Sequence, residues 1–255
     1  MADFVHLEWG RNACSDGFAA TVIVDCLSFS TATSVASGRG AVVVPIADRD
    51  EGKALAAEIG GVCAGKRREG GYSLSPPTLM GLSAGDVLVL PSPNGSTLSA
   101  LPREARVFAG ALRNAAAVAG YLKAVSGKVL LVAAGEKWPD GSLRPALEDQ
   151  LACGAIAHLL GCQMSPEAAF AKAGYLACSD DLPEVLQGCA SGRELTHYGH
   201  AADVVWAAEM DSESCVPELV QVERGGQTLA AFADVAQVRE AGSKVEVTSG
   251  FILSE

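Results

Sequence analysis

Short, uninterrupted apolar runs recur along this chain, and most are followed by a segment with helical spacing. Residues 128–134 form the clearest run, Lys128-Val129-Leu130-Leu131-Val132-Ala133-Ala134. Residues 21–25, 41–46, 62–65, 86–90 and 106–109 share its texture. A strand apolar on both faces has to be covered on both, which antiparallel meanders rarely achieve. Between the runs, residues 31–37, 114–123 and 145–160 carry helical patterns, and Asp48 or Asp50 caps a further helix that ends at Gly60-Gly61. The alternation predicts an α/β fold: three layers, α/β/α, around a mostly parallel sheet.

Beyond Gly161 the texture changes. Residues 165–210 are mainly helical, residues 219–232 form a hairpin around Gly225-Gly226, and residues 244–248 alternate like a last strand. No linker is marked by composition, so the expectation is a single domain over residues 1–255, with a subdivision near residue 161 if there is one. The chain is 49% hydrophobic and 19% charged, enough to bury a large core.

The net charge is −11. It argues against nucleic acid or an anionic membrane as a partner, since both select Lys and Arg. No apolar run approaches the roughly 20 residues of a membrane span. The first residues, Met1-Ala2-Asp3-Phe4-Val5, lack a basic start and an apolar signal core, so a cytoplasmic protein is expected. Eight cysteines without a Cys-x-x-Cys pair read as small buried hydrophobes. Cys26 alone stands beside a candidate site residue. His197 and His200 could pair on a metal, a weaker signal. The composition leaves homo-oligomer formation open.

Four segments after strands carry residues that packing alone does not require. In the first, the run Val22-Ile23-Val24 ends in Asp25 and leads through Ser28, Ser30 and Thr31 into a helix. Ligands collect at the carboxyl edge of such sheets, and helix N-termini hold anions. Asp25 is therefore a candidate metal ligand, nucleophile or base, with the Ser30 and Thr31 hydroxyls at hand for an anion. An ordinary helix cap is the other reading. In the second, Lys66, Arg67 and Arg68 stand between Gly65 and Gly70-Gly71, a local positive site in an acidic protein. The third, Asn94-Gly95-Ser96-Thr97, offers amides and hydroxyls at a strand-to-helix turn. The fourth runs from Ala134-Gly135-Glu136-Lys137-Trp138 to Pro145 and a helix whose first turn holds Glu148 and Asp149. They either complement its dipole or serve as oxygen ligands to magnesium. Neighbours on a helix point about 100° apart, so at most one of the two faces a given site. Gathered at one sheet edge, these groups suit metal-assisted phosphoryl chemistry. No P-loop, Rossmann, Gly-x-Ser-x-Gly or His-Glu-x-x-His pattern occurs.

The ordered set of Val22-Ile23-Val24-Asp25, the Gly65 to Gly71 loop, Asn94-Gly95-Ser96-Thr97, Leu147-Glu148-Asp149 with Cys153-Gly154-Ala155, and Ser191-Gly192-Arg193-Glu194-Leu195 resembles the 2-phosphosulfolactate phosphatase (ComB) family. The resemblance implies a magnesium-dependent phosphatase that releases phosphate from 2-phosphosulfolactate, a step of coenzyme M biosynthesis in some archaea. It implies a small anionic phosphoester as the partner molecule, Mg2+ as cofactor, Asp25, Glu148 and Asp149 as catalytic and metal-holding groups, and Ser30, Thr31, Lys66, Arg67, Arg68, Asn94, Gly95, Ser96 and Thr97 around the substrate. The chain departs from the family pattern at Ser28, where an arginine is usual, at Ser92-Pro93, and at Lys66, where a glutamate is usual. An arginine lost from an anion site removes a bidentate donor. Two rival readings follow: an anion-binding protein without turnover, and an enzyme built on Cys26.

Overall fold

The computed structural model describes residues 1–13, 16–101 and 105–240. Twelve strands are present in this part of the chain: β1 (Ala2–Trp9), β2 (Ala20–Val24), β3 (Val42–Ile46), β4 (Val62–Cys63), β5 (Val87–Pro91), β6 (Arg106–Ala109), β7 (Gly127–Ala133), β8 (Glu136–Lys137), β9 (Leu143–Arg144), β10 (Gln163–Met164), β11 (Pro217–Arg224) and β12 (Gln227–Asp234). The helices are α1 (Phe29–Gly38), α2 (Arg49–Ile59), α3 (Gly95–Ser99), α4 (Ala115–Leu122), α5 (Leu147–Leu160), α6 (Pro166–Cys178), α7 (Leu182–Gly188), α8 (Ala190–His197), α9 (Ala201–Ala208) and α10 (Val235–Glu240). Ten strands form one sheet in the order β10-β1-β7-β2-β6-β11-β12-β3-β5-β4, with helices on both sides, and β8 pairs with β9 outside it. The strand expected at residues 244–248 lies outside the described residues, as does Cys14.

Six of the nine pairings in the large sheet are parallel. The β11–β12 hairpin is antiparallel to its neighbours on both sides. Hence β3, β4 and β5 run against β1, β2, β6 and β7. In a flat sheet the carboxyl ends of β2 and β5 would lie at opposite edges. The hairpin joins each group through a single register pair, Glu218 with Phe108 and Phe232 with Val43. Those sparse joints let the sheet's natural twist become a fold around α1. One core cluster accordingly holds Ile23, Val107 and Leu130 from one group, Val43, Leu88 and Leu90 from the other, and Phe29, Ala32 and Val35 from α1. All but the last residue of α1 are buried. Only a helix of small side chains fits between strands on several sides at once, which is what Ser30-Thr31-Ala32-Thr33-Ser34 supplies.

The opposite face carries α4, α5 and α6 against β1, β2 and β7. There α5 meets α6 at Gly154, where an added Cβ would overlap the Ala171 carbonyl. Backbone cannot yield as a flexible side chain does. Gly154→Ala is expected to cost about 3 kcal/mol, the upper range for overpacking, read as a lower denaturant midpoint at unchanged slope. An unchanged midpoint would show that the two helices can part without loss.

Among the described residues, no helix is long and apolar enough to cross a membrane.

Candidate active site

Asp25 directly follows the carboxyl end of β2. The carboxylate is 8% exposed, and its Oδ1 accepts the Phe29 N–H at 3.1 Å. Asp25 thus caps α1 and also lines a cleft of about 560 Å³. Four further segments share the cleft wall: Arg67 and Leu74, Ser92 to Asn94, Glu136 and Lys137, and Ser191 to Tyr198 on and after α8. A second cavity of about 370 Å³ adjoins it and shares Asn94, Glu136 and Lys137.

Two carboxylates lie behind Asp25. Glu148 is 2% exposed, with Oε2 3.3 Å from the Cys189 thiol. Asp149 accepts the Cys26 N–H at 2.7 Å through Oδ1 and the Gly135 N–H at 2.8 Å through Oδ2. It ties the ends of β2 and β7 to the start of α5. Both of its oxygens serve backbone donors, so Asp149 shapes the site floor; Asp25 lines the cleft, and Glu148 lies buried outside its wall.

The cluster is crowded with negative charge. Burial, and then Glu148, push the Asp25 carboxyl up to about 6, against the opposing Phe29 N–H. Burial, and then Asp25 and Glu148, lift Glu136 to about 7. Asp149 is raised too, by burial first and by Glu148 and Asp25 after it. Cys26 is fully buried, and burial together with Asp149, Glu148 and Asp25 holds its thiol well above the usual range. A thiolate nucleophile needs the reverse surroundings, so nothing here activates Cys26.

Cations border this cluster. The Arg67 Nε donates to Asp203 Oδ2 at 2.8 Å, and an Nη2 hydrogen goes to Ser28 Oγ at 2.7 Å. Lys66 and Arg68, from the same loop, are exposed and lie outside the cleft wall. Arg144 makes two 3.0 Å hydrogen bonds to Glu194, joining the β8–β9 hairpin to α8.

Of the hydroxyls that the sequence singled out, Ser30 donates to the Ile23 carbonyl at 2.8 Å and Thr31 to that of Cys26 at 2.7 Å. Ser96 donates to the Ile46 carbonyl and Thr97 to that of Pro93, each at 2.7 Å. These groups hold backbone and do not face the cleft. Gly95 is buried against the Phe29 ring, which leaves no room for a Cβ. Asn94 does reach the cleft, its Nδ2 3.4 Å from the Gly135 carbonyl. His197 and His200 belong to no metal-holding group among the described residues. Glu136 and Glu194 lie in segments that the sequence marks, but neither is given a role there, and Asp203 is not among the candidates. A role for Glu136 is within reach of the sequence, because it stands just past the carboxyl end of β7, where ligand-binding groups collect.

Fold and cleft together define a class: an α/β protein with a cleft where strand ends, acidic groups and a clamped arginine meet. Residues 10–222 match the model of the 2-phosphosulpholactate phosphatase family. A protein named probable 2-phosphosulfolactate phosphatase from Carboxydothermus hydrogenoformans is 32% identical over 211 residues, 78% of this chain and 85% of the relative. The 2-phosphosulfolactate phosphatase of Methanothermobacter thermautotrophicus is 30% identical over 225 residues, 85% and 92% of the two chains. A probable 2-phosphosulfolactate phosphatase from Gloeobacter violaceus is 30% identical over 208 residues, 77% and 86%. The chain belongs to the 2-phosphosulpholactate phosphatase family.

Proposed function

We propose that the protein hydrolyses the phosphate monoester of a small anionic acid, 2-phosphosulfolactate or a close analogue, with magnesium. The observation that carries this reading is the meeting of Asp25, Arg67, Asn94 and Glu136, from four separate segments, in one cleft. Family membership supplies the substrate class.

Among the described residues, no three His, Cys, Asp or Glu side chains enclose a metal position. Magnesium does not require that; it keeps several waters and is held by one or two carboxylates plus substrate phosphate. Asp25 and Glu148 suit it: hard oxygens, buried together, with Asp25 driven toward its neutral form by the neighbouring charge. Bound there, magnesium would neutralise that repulsion and polarise a phosphoryl oxygen.

The remaining roles fall to the chain's own groups. Arg67 presents N–H donors to an anion. Asn94 offers its amide at the cleft wall. Glu136, at about 7, is matched to accepting and returning a proton near neutral pH. Asp149 keeps the backbone beneath Asp25 in place.

Phosphate release is the test. The purified protein is supplied with 2-phosphosulfolactate, 2-phospholactate and phosphoglycolate, in magnesium and again in excess chelator. Release in magnesium, strongest with the sulfonate and lost in chelator, is the expected outcome. Sulfolactate binding without turnover of any ester would put the anion-binding reading in its place.

A further inference from the structure

Arg67 is the guanidinium that lines the cleft, yet much of its hydrogen-bonding capacity is committed to protein. A guanidinium has five N–H donors. Nε is spent on Asp203 and one Nη2 hydrogen on Ser28. Among the described residues, Nη1 and the other Nη2 hydrogen have no hydrogen-bond partner and form one free edge, and the side chain remains 21% exposed. Asp203 itself, on α9, is 2% exposed and has both oxygens occupied: Oδ2 by Arg67 and Oδ1 by the Ser75 hydroxyl. Three distant stretches of chain therefore set the direction of one fork. A surface arginine gains little from such an arrangement, because its ion pairs are weak and mobile. A fork held by a buried carboxylate loses little freedom on gripping a planar or tetrahedral anion.

We propose that Asp203, seconded by Ser75, is a positioning residue. It holds Arg67 so that the free edge of the guanidinium grips the substrate's second anion, the sulfonate or carboxylate, and not the phosphate. The division of labour follows from charge. The acidic groups Asp25 and Glu148 accept phosphate only through a cation, whereas Arg67 stands at their margin, beyond Ser28, and can take an anion directly. The assignment rests on the phosphatase reading above.

Asp203→Asn and Ser75→Ala separate this role from a merely structural one. In Asp203→Asn the KM for 2-phosphosulfolactate is expected to rise about 30-fold and in Ser75→Ala about threefold, with kcat within about threefold of the parent in both. Calorimetry should show sulfolactate binding weakened in the same proportions, while inhibition by inorganic phosphate stays within about twofold. Unchanged sulfolactate affinity in both variants overturns the proposal. So does an equal loss of phosphate affinity, which would place Arg67 on the phosphate. If Asp203→Asn fails to fold, Ser75→Ala carries the same test. Because sulfolactate binding is read without turnover, a parent protein that binds it but hydrolyses nothing would sink the phosphatase reading and leave the arginine clamp standing.

Discussion

Asp25→Asn is expected to lower phosphate release about a thousandfold or more while leaving the protein as stable as before, or more so, at pH 8. The two halves have one cause. Asp25 is buried, and burial together with Glu148 makes its charged form costly. Asparagine has nearly the same shape, and its Oδ1 can still accept the Phe29 N–H that caps α1. The swap removes the charge and the repulsion with Glu148 but keeps the cap. A group whose charge is unfavourable to the fold and yet central to chemistry shows this opposition between stability and activity. The size of the kinetic loss follows from removing a group that acts on charge in the transition state. Activity within tenfold of the parent would reduce Asp25 to a helix cap, and a collapse of stability alongside activity would leave its chemical role unsupported.

The layers of this fold were legible because their signals are local. β2, β5 and β7 are apolar on both faces, and α2 is bounded by an Asp48 cap and a left-handed Gly60 at φ 68°. The order and sense of the strands were not. Nothing local marks a C-terminal hairpin as the piece that enters the middle of the sheet and reverses its direction, since Glu218 pairs with Phe108 and Phe232 with Val43. β1 does carry a signal, Val5 and Leu7 buried in alternation with more exposed neighbours, but it is short of the continuous apolar texture of the other strands. β10 is two residues long and offers no pattern.

The site divides along the same line. Asp25, Arg67 and Asn94 stand out because each breaks the texture of its segment. The hydroxyls of Ser30, Thr31, Ser96 and Thr97 misdirected the reading, because Ser and Thr near helix starts satisfy nearby carbonyls as readily as ligands. Asp203 was invisible from the sequence. It looks like any acidic residue near a helix start, and 136 positions separate it from Arg67. Only the packing of α9 against the basic loop reveals the pair.

The acidic cluster also fixes how stability should respond to pH, and this is the second large effect. Asp25 moves from an ordinary carboxylate value near 3.8 to about 6, and Glu136 from 4.5 to about 7. Folding therefore favours the protonated form of each. Their contribution is fully present below about pH 4 and is lost as pH rises through 6 and 7. The charged groups acting on them are Glu148 on α5 and Glu194 on α8, with Arg67 and Arg144 too few to balance the charge. At 1.36 kcal/mol per pKa unit, Asp25 alone gives on the order of 3 kcal/mol, or several degrees in melting temperature for a chain of this size. Metal-free protein should melt progressively lower from pH 5 to pH 8. Magnesium at about 100 times its dissociation constant should restore about 2.7 kcal/mol where the carboxylates are ionised. It should do far less at pH 5, where protons occupy the same oxygens. In Asp25→Asn both the slope with pH and the magnesium response should flatten. A metal-free melting curve that rises between pH 5 and 8, or a magnesium shift of equal size at the two ends, would mean that the buried acids are held by something other than their mutual repulsion.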